Sequence, residues 1–221
     1  MPKIYISPSS QSENVYATGN TNEAAQCKKI ASACATFLKK YGFIVKTGDN
    51  TKTDMYKRVQ ESNEFKPDIH LAIHTNASVK HNITGGSQVY LFDLTGERKK
   101  VGTAVFKRLS AVTPGKSAEK IVQNREFYEI VEANAITVYC ECEFHDTKEG
   151  SDFIIKNTKQ IGEAIALGIC DYYKVDVKPD TESVNKTLYT VQAGAFNSRK
   201  NAEAYVTELK KAGFDGFIIK K

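Results

Sequence analysis

No stretch of the chain approaches the ~20 consecutive apolar residues that a membrane-spanning helix needs, so membrane insertion is not expected. The first ten residues, MPKIYISPSS, carry one lysine and a three-residue apolar stretch, which speaks against a Sec-type signal peptide and for synthesis in the cytoplasm. Cysteine occurs five times, at Cys27, Cys34, Cys140, Cys142 and Cys170, with no Cys-x-x-Cys pair. An odd count without paired spacing argues against a disulfide framework or a four-cysteine zinc site, and the five read as buried small hydrophobes. No cluster of lysine and arginine is interleaved with aromatics. The net charge of +5 is therefore too diffuse to name nucleic acid as a partner, although it suits an anionic surface. What remains is ordinary for a globular protein, with 41% hydrophobic and 26% charged residues. A chain of 221 residues fits one medium domain with a small appendage, or one larger domain.

The pattern along the chain alternates. KIYIS (3–7) reads as a buried strand, and NEAAQCKKIASACATFLKKYG (22–42) as an amphipathic helix with Gly42 suited to its end. FIVKT is a second strand and DMYKRVQESNEF a second helix. The segment PDIHLAIHTNAS (67–78) is a third strand, SQVYLF (87–92) a fourth, and ERKKVGTAVFKRLSAV a third helix. AITVYCECEF (135–144) is a long strand, and FIIKNTKQIGEAIALGICDYY a closing helix. This alternation predicts an α/β fold: a twisted, mostly parallel sheet flanked by helices, with functional groups at the carboxyl ends of the strands. A polar stretch with a proline, residues 176–186, reads as a linker. Residues 187–221 read as a small C-terminal β-α-β module. Being shorter than the ~40 residues an independent core usually needs, it must pack on something, pair with another copy, or be half of a larger fold.

Two histidines, His70 and His74, lie in the third strand. Four residues at ~3.3 Å rise separate them by about 13 Å, too far for parallel side chains to share one ion held at ~2 Å. His74 stands where the apolar run gives way to Thr75 and Asn76, so it is the better ligand candidate; His70 reads as a hydrogen-bonded core residue. Glu23 opens the first helix. Glu141, Glu143 and His145 alternate along the late strand, and buried carboxylates without partners are too costly to be packing residues. At least one of these is expected to act.

These segments, in this order, resemble the zinc-dependent N-acetylmuramoyl-L-alanine amidase family (amidase 3 type). The resemblance rests on NEAAQ, RVQESN, DIHLAIHTNA, GGSQVYLF and VYCECEF, and covers roughly residues 3–175. It implies a peptidoglycan hydrolase that uses Zn2+ to cut the amide between N-acetylmuramic acid and L-alanine, within a catalytic domain spanning residues 1–175. It further implies metal ligation by His74 and Glu23, catalysis by Glu141, and substrate contacts by Arg58 and Asn76. The family's first histidine ligand follows the first strand, where this chain has Ser10, a poor zinc ligand. His145 is the expected replacement, with His81 a weaker source. The tail, LYTVQAGAF to FDGFII, is similar to one half-length repeat of the sporulation-related glycan-binding module, which implies binding to wall peptidoglycan and raises self-association through that module as a further expectation. Release through a holin-type pore or by cell lysis is expected, as for a phage endolysin or a mother-cell lytic amidase. Two rival readings are a catalytically inactive wall-binding or regulatory homologue without a complete zinc site, and a metallo-carboxypeptidase-like hydrolase acting on other amides.

Overall fold

The computed structural model describes residues 1–78, 85–178, 193–214 and 218. The chain divides into two units, Met1–Val177 and Lys178–Lys221. The first unit runs β1 (Lys3–Pro8), α1 (Glu23–Lys40), β2 (Ile44–Thr47), α2 (Met55–Phe65), β3 (Ile69–Asn76), β4 (Gln88–Leu91), α3 (Gly96–Ser110), β5 (Lys120–Gln123), α4 (Tyr128–Glu132), β6 (Ile136–Phe144) and α5 (Lys148–Tyr173). The six strands form one sheet in the order β2-β1-β3-β6-β4-β5. All neighbours are parallel except β4 and β6. The expected α/β class with a mostly parallel sheet is the observed one.

Strand alternation sorts the side chains. Ile4 and Ile6 of β1, Leu71 and Ile73 of β3, and Val138, Cys140 and Cys142 of β6 turn to one face. There they join Ile30, Cys34 and Leu38 of α1, Val101 and Val105 of α3, and Ile161, Ile165 and Ile169 of α5 in the main core. All five cysteines are free and buried. Two glycines let α5 settle into this layer. A Cβ on Gly162 would lie 2.4 Å from the Ile30 carbonyl oxygen of α1, and one on Gly168 would lie 2.4 Å from Val105 Cα of α3.

The opposite face is unusual for a buried sheet, which is ordinarily apolar on both sides. It presents Tyr5, Ser7, His70, His74, Thr137, Tyr139 and Glu141, all buried. Helix α2 lies against β1 on this face, and α4 against α2 and β6. Both helices send polar groups inward: Arg58 and Ser62 from α2, Glu129 from α4.

Elements β5 and α4 have no counterpart in the sequence reading, because four- and five-residue segments are too short to show a period. Helix α5 starts five residues before the apolar run that signalled it. Thr147 caps it there, its hydroxyl accepting from Gly150 N at 3.0 Å. In the second unit, α6 (Arg199–Lys211) falls within the segment expected to be helical. The two strands expected around it, and His81, lie wholly or largely outside the described residues.

Candidate active site

The site is assembled at the carboxyl end of β3. His74 is the last histidine on the polar face, 5% exposed, its ring stacked on Tyr139 at 4.4 Å between centroids. Asn22 caps α1 by accepting from Ala25 N at 2.9 Å, so the helix begins on the next residue and Glu23 occupies its first turn. From there the Glu23 carboxylate reaches His74 Nδ1 at 2.9 Å with Oε1 and accepts from Asn14 Nδ2 at 2.6 Å with Oε2. Burial alone would raise the pKa of Glu23, but hydrogen bonds and charge from His74, with further hydrogen bonds from Asn14 and Ser9, hold it below the ordinary value. The sequence reading paired these two residues, and the fold brings them into contact.

The other ring nitrogen of His74 leads to a residue that the sequence reading missed. Nε2 lies 3.3 Å from Glu129 Oε2, and the second oxygen of the same carboxylate lies 3.2 Å from His70 Nε2. Ser7 Oγ also donates to Oε1. His70 itself is fully buried, its Nδ1 2.8 Å from Ser62 Oγ, as a core histidine should be. Both rings therefore lean in from four residues apart onto one carboxylate. Burial works against the charge on Glu129 and on His74, and their pairing wins. Glu129 is held far below the usual carboxylate range, and His74, despite its burial, is raised to about 10 by Glu129 and Glu23. Glu129 comes from a five-residue helix 55 residues away in sequence, and EFYEIVEAN carries no motif that marks it.

Glu141 is the register partner of His74 on the neighbouring strand β6, and both point to the polar face. It is buried, and its Oε2 has no hydrogen-bond partner. Burial lifts its pKa to about 8, with His74 drawing it down and Glu23 pushing it up. A buried, unpartnered carboxyl that titrates near neutrality beside a histidine–glutamate pair is suited to taking up and giving back a proton.

The structure sets His145, Arg58 and Glu143 in other surroundings. His145 does not join Glu23 and His74. Strand β6 ends at Phe144, and the β3–β6 register shifts between His74 and Asn76, so the parity that placed His145 beside Glu141 is broken. Its Nδ1 lies 3.0 Å from both the Thr75 carbonyl oxygen and the Thr75 hydroxyl, and its ring stacks on Tyr16 of the main core. Arg58, expected to contact substrate, is 1% exposed. Its Nε donates to Ser7 Oγ at 3.0 Å and its Nη1 to the Thr53 carbonyl at 2.5 Å, so it supports the turn after β1 instead. Glu143 accepts from the backbone N–H groups of Gly86, Gly115 and Phe144, and so ties two loops to β6. Asn76 lies half-buried at the mouth of the site, with Nδ2 donating to Gln88 Oε1 at 3.2 Å. Among the described residues there is no group of three His, Cys, Asp or Glu side chains that could hold a metal ion.

Comparison with known proteins places this geometry. Residues 4–171 match the family model Amidase_3, described as N-acetylmuramoyl-L-alanine amidase, and residues 173–221 match the SPOR domain. A search of the curated proteins gave no match. Among solved structures, the chain is similar to an N-acetylmuramoyl-L-alanine amidase from Clostridium difficile 630, at 23% identity and a TM-score of 0.69, covering 78% of this chain and 97% of that one. It is also similar to the catalytic domain of CwlV, an amidase from Bacillus (Paenibacillus) polymyxa, at 18% identity and a TM-score of 0.70, covering 80% and 100%. The catalytic domain of the CD27L endolysin, which targets Clostridia difficile, gives 22% identity and a TM-score of 0.62, covering 77% and 98%. The chain belongs to the N-acetylmuramoyl-L-alanine amidase family and is a peptidoglycan hydrolase of that kind.

Proposed function

We propose that the first unit uses zinc, held by Glu23 and His74, and that Glu141 is the proton-transferring residue in cleavage of the amide between the lactyl group of muramic acid and L-alanine. The observation that carries this reading is the cluster itself: Glu23 Oε1 against His74 Nδ1 at 2.9 Å, beside the orphaned Oε2 of Glu141. A carboxylate oxygen and an imidazole nitrogen are ordinary zinc donors, so the pair fits two corners of a tetrahedral site. Zinc bound there would supply Lewis acidity toward the scissile carbonyl and toward water.

The chain's own residues account for the rest. Glu129 accepts the Nε2–H of His74, fixes the ring and leaves Nδ1 facing Glu23. Glu141 takes a proton from water as its oxygen adds to the amide carbon. It returns that proton to nitrogen as the C–N bond breaks, and the second water proton passes from the new carboxyl group to the amine, leaving a lactyl carboxylate and a stem peptide with an alanine ammonium terminus. Asn76, the last residue of β3, is the substrate contact in this proposal.

The division into a catalytic domain (1–175), a linker (176–186) and a wall-binding module (187–221) belongs to the same proposal, as does release through a pore or by cell lysis. Self-association of the module is left to sedimentation of the full chain. Product analysis tests the reading. Purified peptidoglycan digested with the protein should yield stem peptides beginning at alanine and intact glycan strands, and a chelator should stop the reaction. Digestion that produces cut glycans, or that ignores the chelator, would refute it.

A further inference from the structure

The turn after β1 carries a serine at the position where the family's first metal-ligating histidine is expected, and that serine faces elsewhere. Ser10 Oγ lies 3.4 Å from Nη2 of the buried Arg58. The next residue does face the site. Gln11 Nε2 lies 3.4 Å from His74 Nδ1, and Gln11 Oε1 accepts from Asn14 Nδ2 at 3.2 Å. Asn14 in turn donates to Glu23, and Glu23 closes the loop on His74 Nδ1 at 2.9 Å. Gln11 and Glu23 thus both approach His74 Nδ1.

We propose that the Gln11 side-chain oxygen is the third protein ligand of the metal site, a proposal that rests on the zinc reading above. Four observations support it. Tetrahedral ligands held at ~2.0–2.1 Å stand about 3.3 Å from one another, and Nδ1 has Glu23 at 2.9 Å and the Gln11 amide at 3.4 Å. The Nε2–H of His74 is directed at Glu129, so Nδ1 is the nitrogen left for a metal. The two ends of an amide exchange places by rotation about its last bond. Rotation that brings the Gln11 oxygen to Nδ1 ends the Nε2–His74 contact and turns the Gln11 NH2 toward the Asn14 NH2, so the exposed Gln11–Asn14 contact must open, while Asn14 keeps its bond to Glu23. Lastly, a carbonyl oxygen is neutral, as an imidazole is, so glutamine for histidine leaves the charge around a divalent ion unchanged. Among the described residues no group of three His, Cys, Asp or Glu side chains makes a complete site without it.

The test measures zinc itself. Zinc affinity of the full chain is read by competition with a chromophoric chelator, and the ligand field by the visible spectrum of the cobalt(II)-loaded protein. Gln11→Ala is expected to weaken zinc binding by more than tenfold and to change the cobalt spectrum. Gln11→His should bind at least as tightly as wild type, and Ser10→Ala should bind like wild type. Gln11 is exposed on its turn, so alanine there leaves the core intact, which far-ultraviolet circular dichroism checks. If Gln11→Ala keeps wild-type affinity and spectrum while His74→Ala loses zinc, the Gln11 assignment falls and the zinc reading stands. If the wild-type protein takes up no zinc, the zinc reading itself falls.

Discussion

Glu129→Gln separates the charge of the bridging carboxylate from its shape. In the native site two imidazole N–H groups and the Ser7 hydroxyl converge on Glu129, which is 2% exposed. A hydrogen bond to a charged group contributes roughly 1.5–3 kcal/mol and one between neutral groups roughly 0.5–1.5. Losing the charge at two imidazole bonds therefore costs about 2 kcal/mol in the metal-free protein. For a unit of this size that lowers Tm by roughly 4–8 °C. Glu129→Ala is harsher: three donors lose their acceptor at roughly 1–3 kcal/mol each, a large part of a typical total of ~5–15. The second consequence is at the metal. Loss of the carboxylate that orients a ligating histidine weakens binding by roughly 10–100-fold. The third is the titration of His74, whose rise to about 10 has Glu129 as its foremost favourable cause against burial. In Glu129→Gln that value should fall, as read from the ring resonances of His74 in the metal-free protein. A variant with unchanged Tm, zinc affinity and His74 titration would show that the bridge is incidental.

Further outcomes are expected. Glu141→Gln should lose roughly 10²–10⁴-fold in hydrolysis while binding zinc like wild type; retained lysis of wall suspensions would remove Glu141 from the chemistry. Zinc binding at pH 7–8 should release about one proton, because His74 is raised to about 10 and must give up a proton to a metal; calorimetry in buffers of different ionisation enthalpy counts it. The metal-free protein should lose stability on the alkaline side. Glu141 and His74 both have raised folded-state values, so their contributions are full below about 4.5 and 6.5 and decline as pH rises toward about 8 and 10. Urea midpoints that rise from pH 6 to 9 would contradict this. Gly162→Ala should destabilise by a few kcal/mol, since its Cβ meets the α1 backbone at 2.4 Å; an unchanged Tm would show that α5 shifts freely.

The parts of the site that were legible in the sequence sit on long, patterned elements. His74 is separated from His70 because strand rise fixes their spacing, Glu141 stands out as charge in an apolar strand, and Glu23 is a candidate only through the family resemblance. What was illegible depends on tertiary placement. Glu129 belongs to a helix too short for a period, and only packing of α4 against β6 brings it to the two histidines. His145 was assigned by strand parity beyond the residue where the strand ends. Arg58 was read as reaching substrate, but Val59 and Ser62 are buried with it, so that face of α2 turns inward. Gln11 follows Ser10 in a turn whose side-chain directions no periodicity gives.

The account's central claim is a zinc ion between α1 and β3. An anomalous-difference map at the zinc edge, from crystals of the zinc-loaded protein, tests it most directly. The account predicts one strong peak about 2.0–2.2 Å from His74 Nδ1 and the Glu23 carboxylate, next to Glu141. A peak at His145 or elsewhere, with none at His74, would contradict it.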